Sequence, residues 1–131
     1  MKTFLMLATA AMISSFSMNA YAKDGDVREK VVGINDVYIP SGFDSGSEAF
    51  VVVNGLFPHS CYKLKGVKVD HVGPALHEVT TVADVTEGLC LTVIIPFHRE
   101  VQLGKLAVGE HQLRFMNGDG TYMEKRLTIE Q

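Results

Sequence analysis

The chain has 131 residues, of which 47% are hydrophobic and 21% are charged, and its formal net charge is −3. This length is typical of one domain. Binding to nucleic acid or to an anionic membrane surface needs a basic face, and no run of basic residues occurs, so we expect neither.

The N-terminal segment has the layout of a cleavable secretory signal peptide. Lys2 gives a positive start, an apolar run follows over residues 4–13, and a small-residue Ala-x-Ala site ends at Ala22. The apolar run is shorter than the roughly 18 residues that suggest a spanning helix, so no membrane span is expected. The sequence therefore predicts a signal peptide over residues 1–22 and one domain over residues 23–131, in the periplasm or secreted.

Short runs rich in Val, Ile, Leu, Thr and Phe, separated by turn residues, predict strands in the remaining chain. They cover residues 31–39, 50–53, 62–71, 76–85, 90–95, 100–106, 111–115 and 122–129. Gly66 indicates a bulge, and Pro96 is expected to end the fifth strand. Residues 117–120, Asn-Gly-Asp-Gly, tolerate positive φ and predict a hairpin between the last two strands. Seven or eight short strands with no helix between them predict an all-β sandwich of antiparallel sheets.

Two cysteines, Cys61 and Cys90, follow the predicted signal peptide. An even count in an exported chain favours a disulfide, and two cysteines allow one intramolecular pairing. A closed loop of about 30 residues stabilises the fold by about 3.5 kcal/mol in the chain-entropy model. Metal ligation and free thiols are the alternatives.

The C-terminal half carries a family resemblance. Residues 90–118 read C-x5-P-F-x3-V-x-L-G-x-L-x2-G-x-H-x-L-x-F-x-N-G, and residues 55–62 read G-x2-P-x2-C-Y. Both resemble small immunoglobulin-like sandwich domains exported by many bacteria, which implies an immunoglobulin-like architecture and no particular activity. His111 stands where a Tyr is usual in that pattern, which puts a corner hydrogen bond from the Tyr hydroxyl in doubt.

The sequence shows no catalytic constellation. The stretch Gly42-Phe43-Asp44-Ser45-Gly46 has the wrong spacing for a nucleophile elbow and follows a loop rather than a buried parallel strand. Neighbours in a strand point to opposite faces, so the His59-Ser60 pair does not place a base beside a hydroxyl. We therefore expect that the protein is not an enzyme and holds no cofactor. A hydrolase with an unfamiliar site is the alternative.

A metal site built from histidines is the stronger alternative. Four of the five histidines could converge on zinc or copper if their strands pair: His71, His77, His98 and His111. No local spacing requires that site, because the second histidine of His-Glu-x-x-His is replaced by Thr81.

The favoured expectation is a non-catalytic binding or interaction module. Sandwich domains bind through loops at one end or through an edge strand. Candidate loops cover residues 40–48, 54–60, 72–75 and 117–120, and Phe57, Pro58 and His59 are the first candidates for contact. The alternative for Phe57 is that it plugs the end of the sandwich. The partner is expected to be a protein or an envelope component, and the oligomeric state stays open.

Overall fold

The computed structural model describes residues 26–131, which form eight strands and no helix. The predicted signal peptide, residues 1–22, lies outside the described residues. The strands in chain order are β1 (Val27–Val32), β2 (Asp36–Tyr38), β3 (Glu48–Phe57), β4 (Tyr62–Gly73), β5 (Leu76–Thr86), β6 (Ile95–Lys105), β7 (Gly109–Met116) and β8 (Tyr122–Ile129). The predicted all-β sandwich is therefore confirmed.

The strands form a five-stranded sheet and a three-stranded sheet. The smaller sheet has the order β2-β3-β6. In the larger sheet, β5 pairs with β4 along one edge, and its other edge is divided between two strands. Residues 81–86 of β5 pair with β1, and residues 76–80 pair with β7, which continues to β8. The β5–β7 pairing is parallel, whereas antiparallel sheets were expected, and the other pairings between β1–β8 are antiparallel.

The core lies between the two sheets and follows the period-2 alternation of the strands. In β3, every second residue from Ala49 to Phe57 is buried, and the same alternation in β7 buries His111, Leu113 and Phe115. Buried residues of both sheets form one hydrophobic cluster. Residues 26–131 contain no helix that could cross a lipid bilayer.

Several strand predictions were wrong in their extent. The run 50–53 continues to Phe57 in β3, so residues 54–57 of the predicted loop 54–60 belong to a strand. The run 100–106 is part of β6, which begins at residue 95. The run 31–39 is two strands in different sheets, because the chain leaves β1 at Gly33 and continues as β2. The run 90–95 is not a strand before residue 95, and Pro96 lies inside β6 rather than ending a strand. Proline is tolerated there because β6 pairs with β3 alone and so lies at an edge of the smaller sheet, where proline within a sheet is normally found.

Other local predictions are confirmed. The register of the β4–β5 pair shifts between Leu64 and Gly66, so the predicted bulge is present. The last two strands form the predicted hairpin, and Gly118 and Gly120 in its turn have positive φ.

Gly55 lies beside two stacked aromatic residues at the end of the sandwich, where a larger side chain would not fit. Its cross-strand partner is Phe97, whose ring stacks on Phe57 with centroids 4.3 Å apart. A Cβ on Gly55 would overlap the Phe97 ring. Gly66, by contrast, has no atom within 4 Å of its Cβ position.

We expect Gly55→Ala to lower the free energy of unfolding by about 1–3 kcal/mol, because the stacked rings must shift to admit the methyl group. Urea unfolding measures the change. Gly66→Ala is the matched control and is expected to stay within about 0.5 kcal/mol of the parent protein. Equal effects of the two substitutions would contradict the packing of Phe97 described here.

Candidate functional site

The three residues predicted to form a contact loop occupy different environments. Phe57 is 3% exposed and stacks on Phe97 and on Tyr62, so it belongs to the core and plugs the end of the sandwich. The interpretation of Phe57 as an exposed contact residue is therefore wrong, because the alternation of β3 turns its ring inward. Pro58 is exposed and His59 is partly buried, so these two remain at the surface.

The predicted disulfide between Cys61 and Cys90 is present, with the Cα atoms 5.4 Å apart. Two hydrogen bonds reinforce it. The Ser60 amide donates to the Leu91 carbonyl at 3.1 Å, and the Leu91 amide donates to the Ser60 hydroxyl at 2.7 Å. The bridge and these bonds hold the segment between β5 and β6 against the loop that follows β3.

That segment, residues 89–94, is here called the crossover segment because it connects the larger sheet to the smaller one. Its apolar side chains are exposed: Leu89 106%, Leu91 70%, Val93 49% and Ile94 69%. Isolated apolar residues at a surface need no explanation, but several in one short segment are typical of an interaction site. This surface was not predicted from the sequence, because the same run of residues predicted a strand.

The histidines separate into one row and two distant residues. His98 lies on β6, opposite Asn54, and His59 lies beside the disulfide. His71 on β4, His77 on β5 and His111 on β7 form a row across three neighbouring strands, here called the histidine row. His77 and His111 are each 2% exposed, and His71 is exposed. Three of the four candidate metal ligands are therefore brought together, and His98 is not.

Hydrogen bonds connect the row from the surface to a backbone carbonyl. The Nδ1 atoms of His71 and His77 are 2.6 Å apart, and His77 Nε2 lies 2.8 Å from His111 Nδ1. His111 Nε2 lies 2.7 Å from the carbonyl oxygen of Ala107. The rings are linked in pairs, His71 to His77 and His77 to His111, and the three do not form a group whose ligand atoms all lie within 4.8 Å of one another.

The carbonyl of Ala107 determines the tautomer of every neutral ring in the row. A carbonyl only accepts, so His111 carries its proton on Nε2 and accepts with Nδ1. His77 therefore donates from Nε2 and accepts with Nδ1. His71 then donates from Nδ1, and its Nε2 lone pair is left for solvent.

His111 also answers the question raised by the family resemblance. Its bond to Ala107 runs four residues back along the chain, as a Tyr hydroxyl does at the corner of immunoglobulin-like sandwiches. The imidazole therefore donates to a backbone carbonyl from the position at which the resemblance would place that Tyr. Unlike a Tyr side chain, the imidazole has a ring nitrogen besides the donor, Nδ1, which accepts the hydrogen bond from His77 Nε2.

A second group of metal-ligating atoms converges at the disulfide. Among the described residues, His59, Cys61 and Cys90 are the group of three whose ligand atoms lie within 4.8 Å of one another. Thiolates bind metals, and these two sulfurs are bonded to each other. The His59 Nδ1 atom accepts a hydrogen bond from the Cys61 amide, which orders the loop before the bridge.

The fold and the bridge define a small disulfide-bonded β-sandwich domain. A model of the ORF11 β-sandwich domain matches residues 51–129, which is more than half of the chain, and the protein belongs to that family. A search of curated proteins found no match. A search of solved structures also found none.

Reduction of the bridge should destabilise the domain strongly. The loop-closure contribution of about 3.5 kcal/mol corresponds to a fall in Tm of well over 10 °C at about 4–8 °C per kcal/mol. Thermal unfolding followed by circular dichroism with and without a reducing agent measures the fall. In the Cys61→Ser/Cys90→Ser control, reductant should leave the Tm unchanged. An equal Tm for the oxidised and reduced protein would contradict a stabilising bridge.

The burial of His77 should make stability depend on pH. Burial lowers the pKa of His77 below its usual value, and positive charge on His71 or His111 would lower it further. Unfolded His77 binds its proton near pH 6.5, whereas the folded ring stays neutral to lower pH, so the free energy of unfolding should fall as the pH drops below about 6.5.

Urea unfolding between pH 7.5 and 5.5 measures this dependence, and the contribution of His77 is at most about 1.4 kcal/mol per pH unit. His77→Gln should flatten the slope even if it lowers stability overall. His98→Ala, at an exposed position, should keep the parental slope. A slope that is unchanged in His77→Gln would show that His77 does not cause it.

Proposed function

We propose that the protein is an exported, non-catalytic interaction module of the periplasm or cell envelope. Its contact surface is the crossover segment together with Pro58 and His59. The observation that carries this proposal is the set of four exposed apolar side chains on the crossover segment. The predicted signal peptide and the disulfide support export, since disulfides persist in oxidising compartments.

The chemistry of the crossover segment favours a protein partner with an apolar surface. Residues 88–97, Gly-Leu-Cys-Leu-Thr-Val-Ile-Ile-Pro-Phe, contain no charged side chain. The buried centre of a protein interface is likewise depleted in charged residues. Binding to nucleic acid would instead need cations to neutralise phosphates.

The attachment of the segment lowers the cost of binding. Ordering a free loop at an interface opposes association, because side chains and backbone lose conformational freedom. The disulfide and the paired hydrogen bonds between Ser60 and Leu91 already restrict this loop. The apolar side chains are therefore presented on a backbone that needs little further ordering.

Strand addition at the β4 edge or the β2 edge is a less favoured mode of binding. The edge strand β4 exposes Lys63, Lys65 and Lys68, and lysines on an edge oppose pairing with another chain. β2, at an edge of the smaller sheet, is three residues long. The crossover segment carries no such protection. Within this proposal, the immunoglobulin-like resemblance supports recognition by loops at one end of the sandwich.

The double variant Leu91→Ser/Ile94→Ser should lose its partner. The backbone bonds of Leu91 do not depend on its side chain, so the fold should persist and the apolar contact area should disappear. Cross-linking in native envelopes, followed by mass spectrometry, compares the proteins joined to the parent and to the variant. Tyr38→Ser/Val108→Ser removes two exposed apolar side chains elsewhere and should keep the parental partner.

The result expected is one cross-linked protein shared by the parent and the control and missing from the crossover variant. If that protein is a second copy of this chain, analytical ultracentrifugation of the purified protein will show concentration-dependent association that the crossover variant lacks. Identical cross-linked partners for all three proteins would refute the crossover segment as the contact surface.

A further inference from the structure

We infer that His71 and His77 form a binding site for a divalent metal ion that prefers imidazole, Cu²⁺ above all, with His111 as the positioning residue. The inference is independent of the proposed interaction surface. It rests on the Nδ1 atoms of His71 and His77, which face each other across the β4–β5 pair. Imidazole nitrogen is a ligand suited to copper, nickel and zinc.

The backbone register brings the two rings together. His71 and His77 are direct cross-strand partners, so their side chains leave the sheet on the same face. The planes of the rings are 85° apart and the ring centroids are separated by 4.8 Å. His71 is exposed, so an ion can approach from solvent and keep water molecules on its remaining coordination positions.

The distance between the two nitrogens selects among metals. In a tetragonal Cu²⁺ site, two adjacent nitrogens lie about 2.0 Å from the ion and the N–Cu–N angle is about 90°. Such nitrogens are about 2.8–2.9 Å apart. Tetrahedral Zn²⁺ needs about 3.3 Å for the same pair. The observed separation is 2.6 Å. The rings must therefore separate by a few tenths of an ångström for Cu²⁺ and by more than twice as much for Zn²⁺.

The rest of the row prepares His77 as a ligand. Since Ala107 fixes His111 as donor at Nε2, His77 donates from Nε2 and presents the lone pair of Nδ1 towards His71. A histidine that binds a metal through one nitrogen commonly donates from the other to an acceptor, which fixes the ring and raises its basicity. His111 Nδ1 is that acceptor, so the hydrogen bond that orients His77 exists before the ion arrives.

Metal binding through this pair of neutral rings needs no net loss of protons. Without metal, His71 donates its Nδ1 proton to His77. When the ion binds, His71 releases that proton and takes another on Nε2, which faces solvent. Both Nδ1 lone pairs then point to the metal, and the ion loses two water ligands.

Copper titration of the disulfide-bonded protein, purified without an affinity tag, tests the site. Isothermal calorimetry at pH 7.5 should give one equivalent of Cu²⁺, and electron paramagnetic resonance should show hyperfine coupling to two imidazole nitrogens. Zn²⁺ should bind more weakly than Cu²⁺. His71→Ala should weaken Cu²⁺ binding by at least about tenfold, because losing a direct ligand costs no less than losing a residue that orients a ligand.

His98→Ala is the matched control, because it removes an exposed histidine outside the row and should leave the affinity unchanged. His111→Gln should weaken binding by about 10–100-fold, with circular dichroism reporting whether the sheet is intact. Independently of metal, ¹⁵N chemical shifts should show His77 protonated at Nε2 and not at Nδ1.

Three results would overturn the inference. They are parental Cu²⁺ affinity in His71→Ala, coupling to fewer than two imidazole nitrogens in the parent protein, and a His77 tautomer protonated at Nδ1. The tautomer measurement does not require a variant that folds. None of these results bears on the crossover segment, so the two proposals fail separately.

Discussion

The structure depends on how strand β5 divides its hydrogen bonds. One edge of β5 bonds to β4, and the other edge bonds to β1 along residues 81–86 and to β7 along residues 76–80. The larger sheet is held together by this one strand, since β1 and the β7–β8 hairpin are both attached to it. The histidine row follows from the same order, because β4, β5 and β7 are neighbours at the end where each carries a histidine.

The crossover segment shows how a covalent bond substitutes for strand pairing. Residues 89–94 are apolar enough to form a strand, yet they have no ladder partner and expose their side chains. The disulfide of Cys90 and the paired bonds between Ser60 and Leu91 keep them in place. Stability thus comes from the bridge, and the apolar side chains are left available for contact with another molecule.

Features with a local cause could be predicted from the sequence. Alternation and a Gly-rich turn predicted the β7–β8 hairpin, and the cysteine count predicted the bridge. Features that depend on distant pairing could not. The parallel β5–β7 contact, which brings His77 to His111, has no signal in either strand alone. The exposure of the crossover segment could not be predicted for a related reason. Apolar composition predicts a strand, whereas exposure depends on whether a partner strand is available to pair with it.

Placing the histidine row in the core has a cost in solvation free energy. Two buried imidazoles lose their hydration, and a buried polar group left unpaired costs about 1–3 kcal/mol. The row avoids that penalty by pairing every inner nitrogen, and Ala107 fixes the direction of all three bonds. At position 111 the imidazole both donates to the Ala107 carbonyl through Nε2 and accepts from His77 through Nδ1. The imidazole of His111 therefore orients His77. The Nδ1 lone pair of His77 points towards His71, the exposed ring of the row. A proton or metal ion arriving at His71 meets a site whose inner half is already oriented by the core.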